Sequence, residues 1–375
     1  MSSIYDELYR RRVSRRQAPI AEGRRHDLSA ERLCFVDGVA INAAGTQLLG
    51  SGLPDDLPLA SPCPLLVDTQ GFPRLAKPIS TIALSGRHIG VEGRLDALWD
   101  VLSGSLDVLI RQLPDGESVD LVLTLPVSIS SWQQQALQQR IIAQLIKHQV
   151  WKEGQSLCRV ASSQHINALL APDQSTGAMR WVFWCCMDTL LDEAQLRHWD
   201  SLSTKRSPLI AGEGGALMLF ERTAPDAAPT KGRFWVQSMQ QPHQRSASLA
   251  KRERTEALKS LMAALIPDIS ASGTAEEEPE IAPPACCMMD IGAGDRAGDA
   301  FMALFERWAG LYEPMANCFT LDLFCGWVGQ AAQGTMLMMA VATVTEKDSA
   351  MLLSLSATDA TAMTLLTPVE VADQA

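Results

Sequence analysis

The chain has 375 residues, 47% of them hydrophobic and 20% charged, and a formal net charge of −11. This is enough apolar content for a sizeable core and enough length for one large or two ordinary domains. The acidic balance argues against nonspecific nucleic-acid binding by the whole molecule. No continuous apolar run of about 18 residues occurs and the first residues lack a hydrophobic signal core, so no membrane span is expected. Nine Cys without a CxxC or zinc-finger spacing suit a reducing cytoplasm.

Residues 1–32 read as a basic N-terminal arm, with eight Arg against five acidic residues. Ser3 and Asp6 could cap a short helix with Ile4, Tyr5, Leu8 and Tyr9 on one side, a candidate partner-docking face. The alternative is a solvated arm. Leu33-Cys34-Phe35-Val36 opens a strand. Residues 50–78, crowded with Pro and Gly, read mostly as loop. Asp96–Leu109 is a predicted helix, Val119–Leu125 a buried parallel strand, and Ser131–Gln149 a helix with Leu137, Ile141, Ile142, Leu145 and Ile146 on one face.

Strand Trp181–Met187, helix Asp192–Ser201 and strand Ala216–Phe220 follow. After a Pro/Ala-rich connection come strand Phe234–Met239 and helix Thr255–Ile266. Residues 270–284 form an acidic, Pro-containing loop. Strand Cys286–Asp290, helix Asp299–Leu311, strand Thr320–Phe324 and helix Ala331–Ala342 precede two closing strands, Met351–Leu355 and Ala362–Leu366. Adjacent Cys185-Cys186 and Cys286-Cys287 alternate faces in their strands, which suits buried thiols. Strands alternating with helices predict an α/β protein with both faces of its central sheets covered.

Five stretches, in order, resemble the thiolase-fold β-ketoacyl synthases. Phe35–Gly45 is similar to the opening strand and turn, and Trp184–Asp188 to a small-residue strand end. Ala211-Gly212-Glu213-Gly214-Gly215-Ala216 resembles a Gly-Glu-Gly-Ala motif, and Asp290–Asp299 an Ala-His-Gly-Thr-Gly-Thr loop. Gly326–Ala332 stands where that family carries Gly-His before a Gly/Ala-rich helix start. The resemblance implies a thiolase-like α/β fold of two similar halves (33–222 and 223–375), each with a mixed five-stranded sheet, layered αβαβα.

The same resemblance places the family's chemistry on residues that cannot perform it. Condensation needs an activated thiolate and two imidazoles that polarise the thioester. In the family the nucleophilic Cys opens a helix; here Ala161–His165 sets a register that puts Val160 at that Cys. The two His positions read Ile291 and Trp327, and the Lys five residues before the second reads Asp322. The family's late glycine-rich loop reads Ala357–Ala362, with every Gly gone. The six His end at His243, so no shift of register restores one to the last third of the chain. Ile and Trp offer no oxyanion donor beyond one indole N–H, and they would fill the acyl pocket.

Other constellations have plain structural readings. Cys158 is the one thiol near the nucleophile segment and reads as a strand residue; His165 reads as a helix start. Asp188 and Asp192 read as a strand end and a helix N-terminus. Gly212–Gly215 lacks the Lys-Ser/Thr and following helix of a phosphate-binding loop, and the 292–298 glycines lack dinucleotide-binding spacing. No cofactor or metal is expected.

Met187-Asp188-Thr189-Leu190 and Gly212-Glu213-Gly214 are similar to Val-Asp-Ser-hydrophobic and Pro-Gly-Glu-Gly segments of a non-catalytic branch, with Ala211 in place of the Pro. That branch is the ketoacyl-synthase-like proteins encoded in bacterial type VI secretion clusters. It implies a pseudoenzyme acting as an adaptor or co-chaperone with a secretion adaptor, effector or spike protein. The alternatives are a chain-length-factor-like subunit paired with an active ketosynthase, as a homo- or heterodimer, and an acyltransferase using Cys158.

Overall fold

A computed structural model describes residues 32–68, 70–163, 165–171, 179–202, 210–224, 227–242, 251–266, 283–290, 295–308, 317–355 and 360–369. Ile4, Tyr5, Leu8, Tyr9 and Ile291 lie outside the described residues, as do the arm before Arg32 and nearly all of the acidic loop.

The first half builds strands β1 (Arg32–Asn42), β2 (Gly45–Leu48), β3 (Ser61–Val67), β4 (Pro73–Lys77), β5 (Val119–Thr124), β6 (Cys158–Val160), β7 (Trp181–Thr189) and β8 (Ala211–Thr223). Its helices are α1 (Gly90–Ser103), α2 (Leu106–Ile110), α3 (Ser131–Lys147), α4 (Ile166–Leu170) and α5 (Glu193–Leu202). The second half builds β9 (Phe234–Pro242), β10 (Cys286–Met289), β11 (Cys318–Thr320), β12 (Ala350–Ser354) and β13 (Ala360–Pro368). Its helices are α6 (Lys251–Leu265), α7 (Asp295–Arg307), α8 (Leu321–Cys325) and α9 (Ala332–Thr343).

The sheet order β11-β10-β12-β13-β9-β1-β8-β7-β5-β6 contains the same plan twice. Counting five strands per half (β1, β5, β6, β7, β8 and β9–β13), each half runs third, second, fourth, fifth, first. The second strand pairs in parallel with the third and the fourth, and the fifth is antiparallel to both its neighbours, in each half. The halves meet where β1 pairs antiparallel with β9, at Leu33↔Val236, Cys34↔Trp235 and Phe35↔Phe234.

Burial follows from composition. Strands β7 and β8 are buried along their whole length, which explains their near-continuous apolar runs. Helix α9 is apolar all round and buried from Ala332 to Ala342, because it packs on β1 and β8 of one half and on β10 and β12 of the other. Helix α3 keeps most of the predicted amphipathic face, burying Leu137, Ile141 and Leu145 with Ile142 partly buried and Ile146 exposed, and opens with a capping box from Ser130 and Gln133. All nine Cys are free thiols, and the adjacent pairs lie buried in β7 and β10.

Several local expectations change. Residues 50–78 hold the β3–β4 hairpin, which joins β8 through β4. Pro62 and Pro64 are tolerated because β3 is an edge strand, so Pro content hid it. The expected strand Thr320–Phe324 is a three-residue strand followed by helix α8; Leu321, Phe324 and Cys325 are buried at helical spacing. The expected helix Asp96–Leu109 begins earlier, at Gly90, and breaks at Gly104, giving α1 and α2. Helix α7 starts at Asp295, four residues before the expected Asp299.

Candidate functional site

Three segments meet at the C-terminal end of β7: Asp188–Leu190, the start of β8, and the turn that follows α8. Trp327 forms a parallel bridge with Ala211. Its N–H donates to the Ile210 carbonyl at 2.9 Å, and its carbonyl accepts from Gly212 N–H at 3.0 Å. The indole is 3% exposed and belongs to the main apolar cluster. Two glycines permit this clamp. A Cβ on Gly212 would stand 2.0 Å from the Cys325 carbonyl oxygen, and Gly326 turns the chain at φ +70.

Asp188 fastens the same turn from the other side. Its carboxylate accepts from Gln330 N–H at 2.7 Å, from Thr189 N–H at 2.7 Å and from the Gln195 side chain at 3.3 Å. Burial is complete and pushes its pKa up to about 7, against those three hydrogen bonds. Asp192 caps α5 through the N–H groups of Ala194 and Gln195. Both carboxylates therefore have the structural roles read from the sequence.

Glu213, the acidic residue of the glycine motif, is wholly buried and paired with wholly buried Arg94 of α1. Arg94 Nε donates to Glu213 Oε2 at 2.8 Å, and a second bond joins its Nη2 to Oε1. Glu213 also accepts from Ile79 N–H at 2.9 Å and the Thr189 hydroxyl at 3.3 Å, while Arg94 reaches the Ala83 carbonyl at 2.7 Å. The motif is thus an electrostatic knot joining α1, β7, β8 and the chain at Ile79. The sequence reading missed Arg94. Its signal was present: an Arg set among Leu95, Leu98, Trp99 and Leu102 on the buried face of a helix, and a lone Glu entering an apolar strand.

Asp322 lies in the first turn of α8. Lys77 of β4 donates its ammonium to the carbonyls of Asp322 and Leu323, a cation at the C-terminal end of a helix. Burial lowers the Lys77 pKa, opposed by Cys325 and Asp322.

Val160 does not join this group. It is the last residue of β6 and 36% exposed, and β5 and β7 stand between β6 and β8 in the sheet order. No helix opens at Val160. The next one, α4, opens at His165, whose Nδ1 accepts from Ala168 N–H at 2.9 Å as an N-cap. Asn167 then stitches α4 to the other half, donating to the Val236 carbonyl at 3.0 Å and accepting from Ser238 N–H at 2.7 Å. Cys158 sits two residues before Val160 on β6, and burial pushes its thiol up to about 12.

A cleft of about 220 Å³ between α1 and α3 is lined by Glu92, Asp96, Gln133 and Arg140. These groups pair with one another: Arg140 with Asp96 at 2.8 Å, and Gln133 with Glu92 at 2.9 Å. Among the described residues no group of three or more His, Cys, Asp or Glu is placed to hold a metal, and no helix is long and apolar enough to cross a membrane.

No family model matches the chain, and no curated protein matches it. Solved structures do. A type II PKS acyl-carrier protein in complex with its ketosynthase (AntDE:AntF) superposes with TM-score 0.57 at 11% identity, over 91% of this chain and 100% of that one. The ishigamide ketosynthase/chain length factor gives 0.53 at 11%, over 90% and 99%. The fold is that of the thiolase-like ketosynthases. A histidine-to-asparagine variant of OleA from Xanthomonas campestris gives 0.50 at 12%, over 90% and 98%. At these identities the likeness speaks for architecture alone.

Proposed function

We propose that this chain is a non-catalytic ketosynthase-like shell that acts through contacts with protein partners. The observation that carries this is the pairing of Trp327. The position of the second imidazole is held by an indole sealed in the core, with both main-chain groups committed to β8. Supporting it, β6 ends on Val160, and the short helix that follows opens on a His that serves as a cap. The nearest thiol, Cys158, would be almost entirely protonated near neutral pH, a poor nucleophile.

Within this reading, the favoured role is an adaptor or co-chaperone that loads effectors in type VI secretion, working in the cytoplasm. Its support is the resemblance of Met187–Leu190 and Gly212–Gly214 to that branch. Affinity capture with the full-length chain from its native host should recover a secretion adaptor, a spike protein or an effector. Recovery of none of these in repeated captures would count against it.

A second reading is a chain-length-factor-like subunit. Two observations favour it: the fold is similar to a structure that carries that name, and β6 ends the sheet with an open edge and an exposed Val160. Capture of a ketosynthase together with an acyl carrier protein would select it.

A further inference from the structure

Cys287 and Cys318 stand opposite one another on neighbouring parallel strands, in direct register between β10 and β11. The Cys287 thiol is hydrogen-bonded to Cys318; that bond first, and burial second, hold its pKa well above the ordinary value. Cys318 is only half-buried, and β11 is the last strand of the sheet, so this member of the pair borders the surface. Directly paired residues on neighbouring strands lie within the Cα separation a disulfide requires, about 4.4–6.8 Å. Cys286 makes the contrast: its thiol bonds to Thr343 of α9, on the opposite face of β10.

The position of the pair gives it a consequence. Strand β11 runs into α8 and the Trp327 turn, so a link between β10 and β11 would fasten that turn to the inner strand of the sheet.

We propose that Cys287 and Cys318 are an oxidative modification site, closing to a reversible disulfide in response to a hydroperoxide. Cys318 is the attacking sulfur. Its thiolate attacks the distal peroxide oxygen, which becomes the sulfenic hydroxyl as the O–O bond breaks, and the proximal oxygen leaves and takes a proton as the corresponding alcohol, or as water from hydrogen peroxide. The Cys287 sulfur then attacks the sulfenic sulfur, the S–S bond forms, and the hydroxyl leaves as water with the Cys287 proton. Two thiols lose two electrons in total, and the peroxide gains them. The raised pKa of Cys287 slows the second step, because the thiolate is the attacking form.

The test is intact-mass and peptide-mapping analysis of the folded full-length protein after treatment with hydrogen peroxide. The expected result is a loss of two hydrogens, a linked pair of peptides carrying Cys287 and Cys318, reversal by dithiothreitol and a raised thermal midpoint in the linked form. Cys318→Ser should abolish the linkage and Cys286→Ser should keep it. Cys287→Ser, at a fully buried position, is needed only if Cys318→Ser does not fold. Full retention of all nine thiols by the folded protein would overturn the proposal. So would oxygen added to Cys318 without linkage, or a bond to any other Cys.

Discussion

The two halves repeat one strand order and differ in what they place between their third and fourth strands. In the second half that connection carries α9, twelve residues long and buried on every side. In the first half it carries α4, with five residues. The resemblance to condensing enzymes puts the nucleophile at a helix start in this second position. The half that would supply the thiolate has the short helix, while the half that would supply imidazoles keeps its long helix and carries Trp327 ahead of it. The comparison teaches where the halves depend on each other: α9 packs on strands of both, whereas α4 meets the other half at β9.

The comparison can be broken at the joints that hold the halves in register. The largest effect is expected at Glu213. Glu213→Ala leaves Arg94 charged and buried without its partner, and should cost roughly 3–5 kcal/mol in denaturant unfolding. Replacing both, Arg94→Met with Glu213→Leu, should recover much of that loss; an equal loss in the double variant would mean the pair itself is not the cause. Trp327→Ala should cost about 3–5 kcal/mol by removing a buried indole and leaving a cavity. A loss under about 1 kcal/mol would place the indole outside the core.

Gly212→Ala probes the backbone approach that admits the Trp327 bridge. Its Cβ meets a carbonyl oxygen, not a flexible side chain, so roughly 3 kcal/mol is expected. A further test is the pH dependence at Asp188. An unfolded Asp titrates near 3.8, whereas burial lifts this one to about 7 in the fold. The fold therefore binds the proton more tightly. Its contribution is intact below about pH 4 and is lost as pH rises through about 7. Asp188→Asn should flatten that part of the stability profile, read from denaturant midpoints at several pH values. An unchanged slope would assign the dependence elsewhere.

The fold was readable because its strands are buried on both faces. Runs such as Trp181–Met187 and Ala216–Phe220 need no partner to be recognised, and α3 shows its period openly. The β3–β4 hairpin was hidden by prolines allowed only at an edge, and α8 was hidden because five residues are too few for a period to declare itself. At the site, Trp327 was legible through its neighbours Gly326 and Gly329. The Arg94–Glu213 knot showed only as two separate signals, an Arg on an apolar helix face and a Glu in an apolar strand, because nothing local joins partners 119 positions apart. The pairing of Lys77 with the end of α8 escaped for the same reason.

The central claim is that no residue of this shell receives an acyl group. The direct measurement is the intact mass of the full-length protein after incubation with an acyl-thioester, with the adduct site mapped if one forms. The account predicts an unchanged mass. An acyl adduct on Cys158, lost in Cys158→Ala with the fold intact, would contradict it.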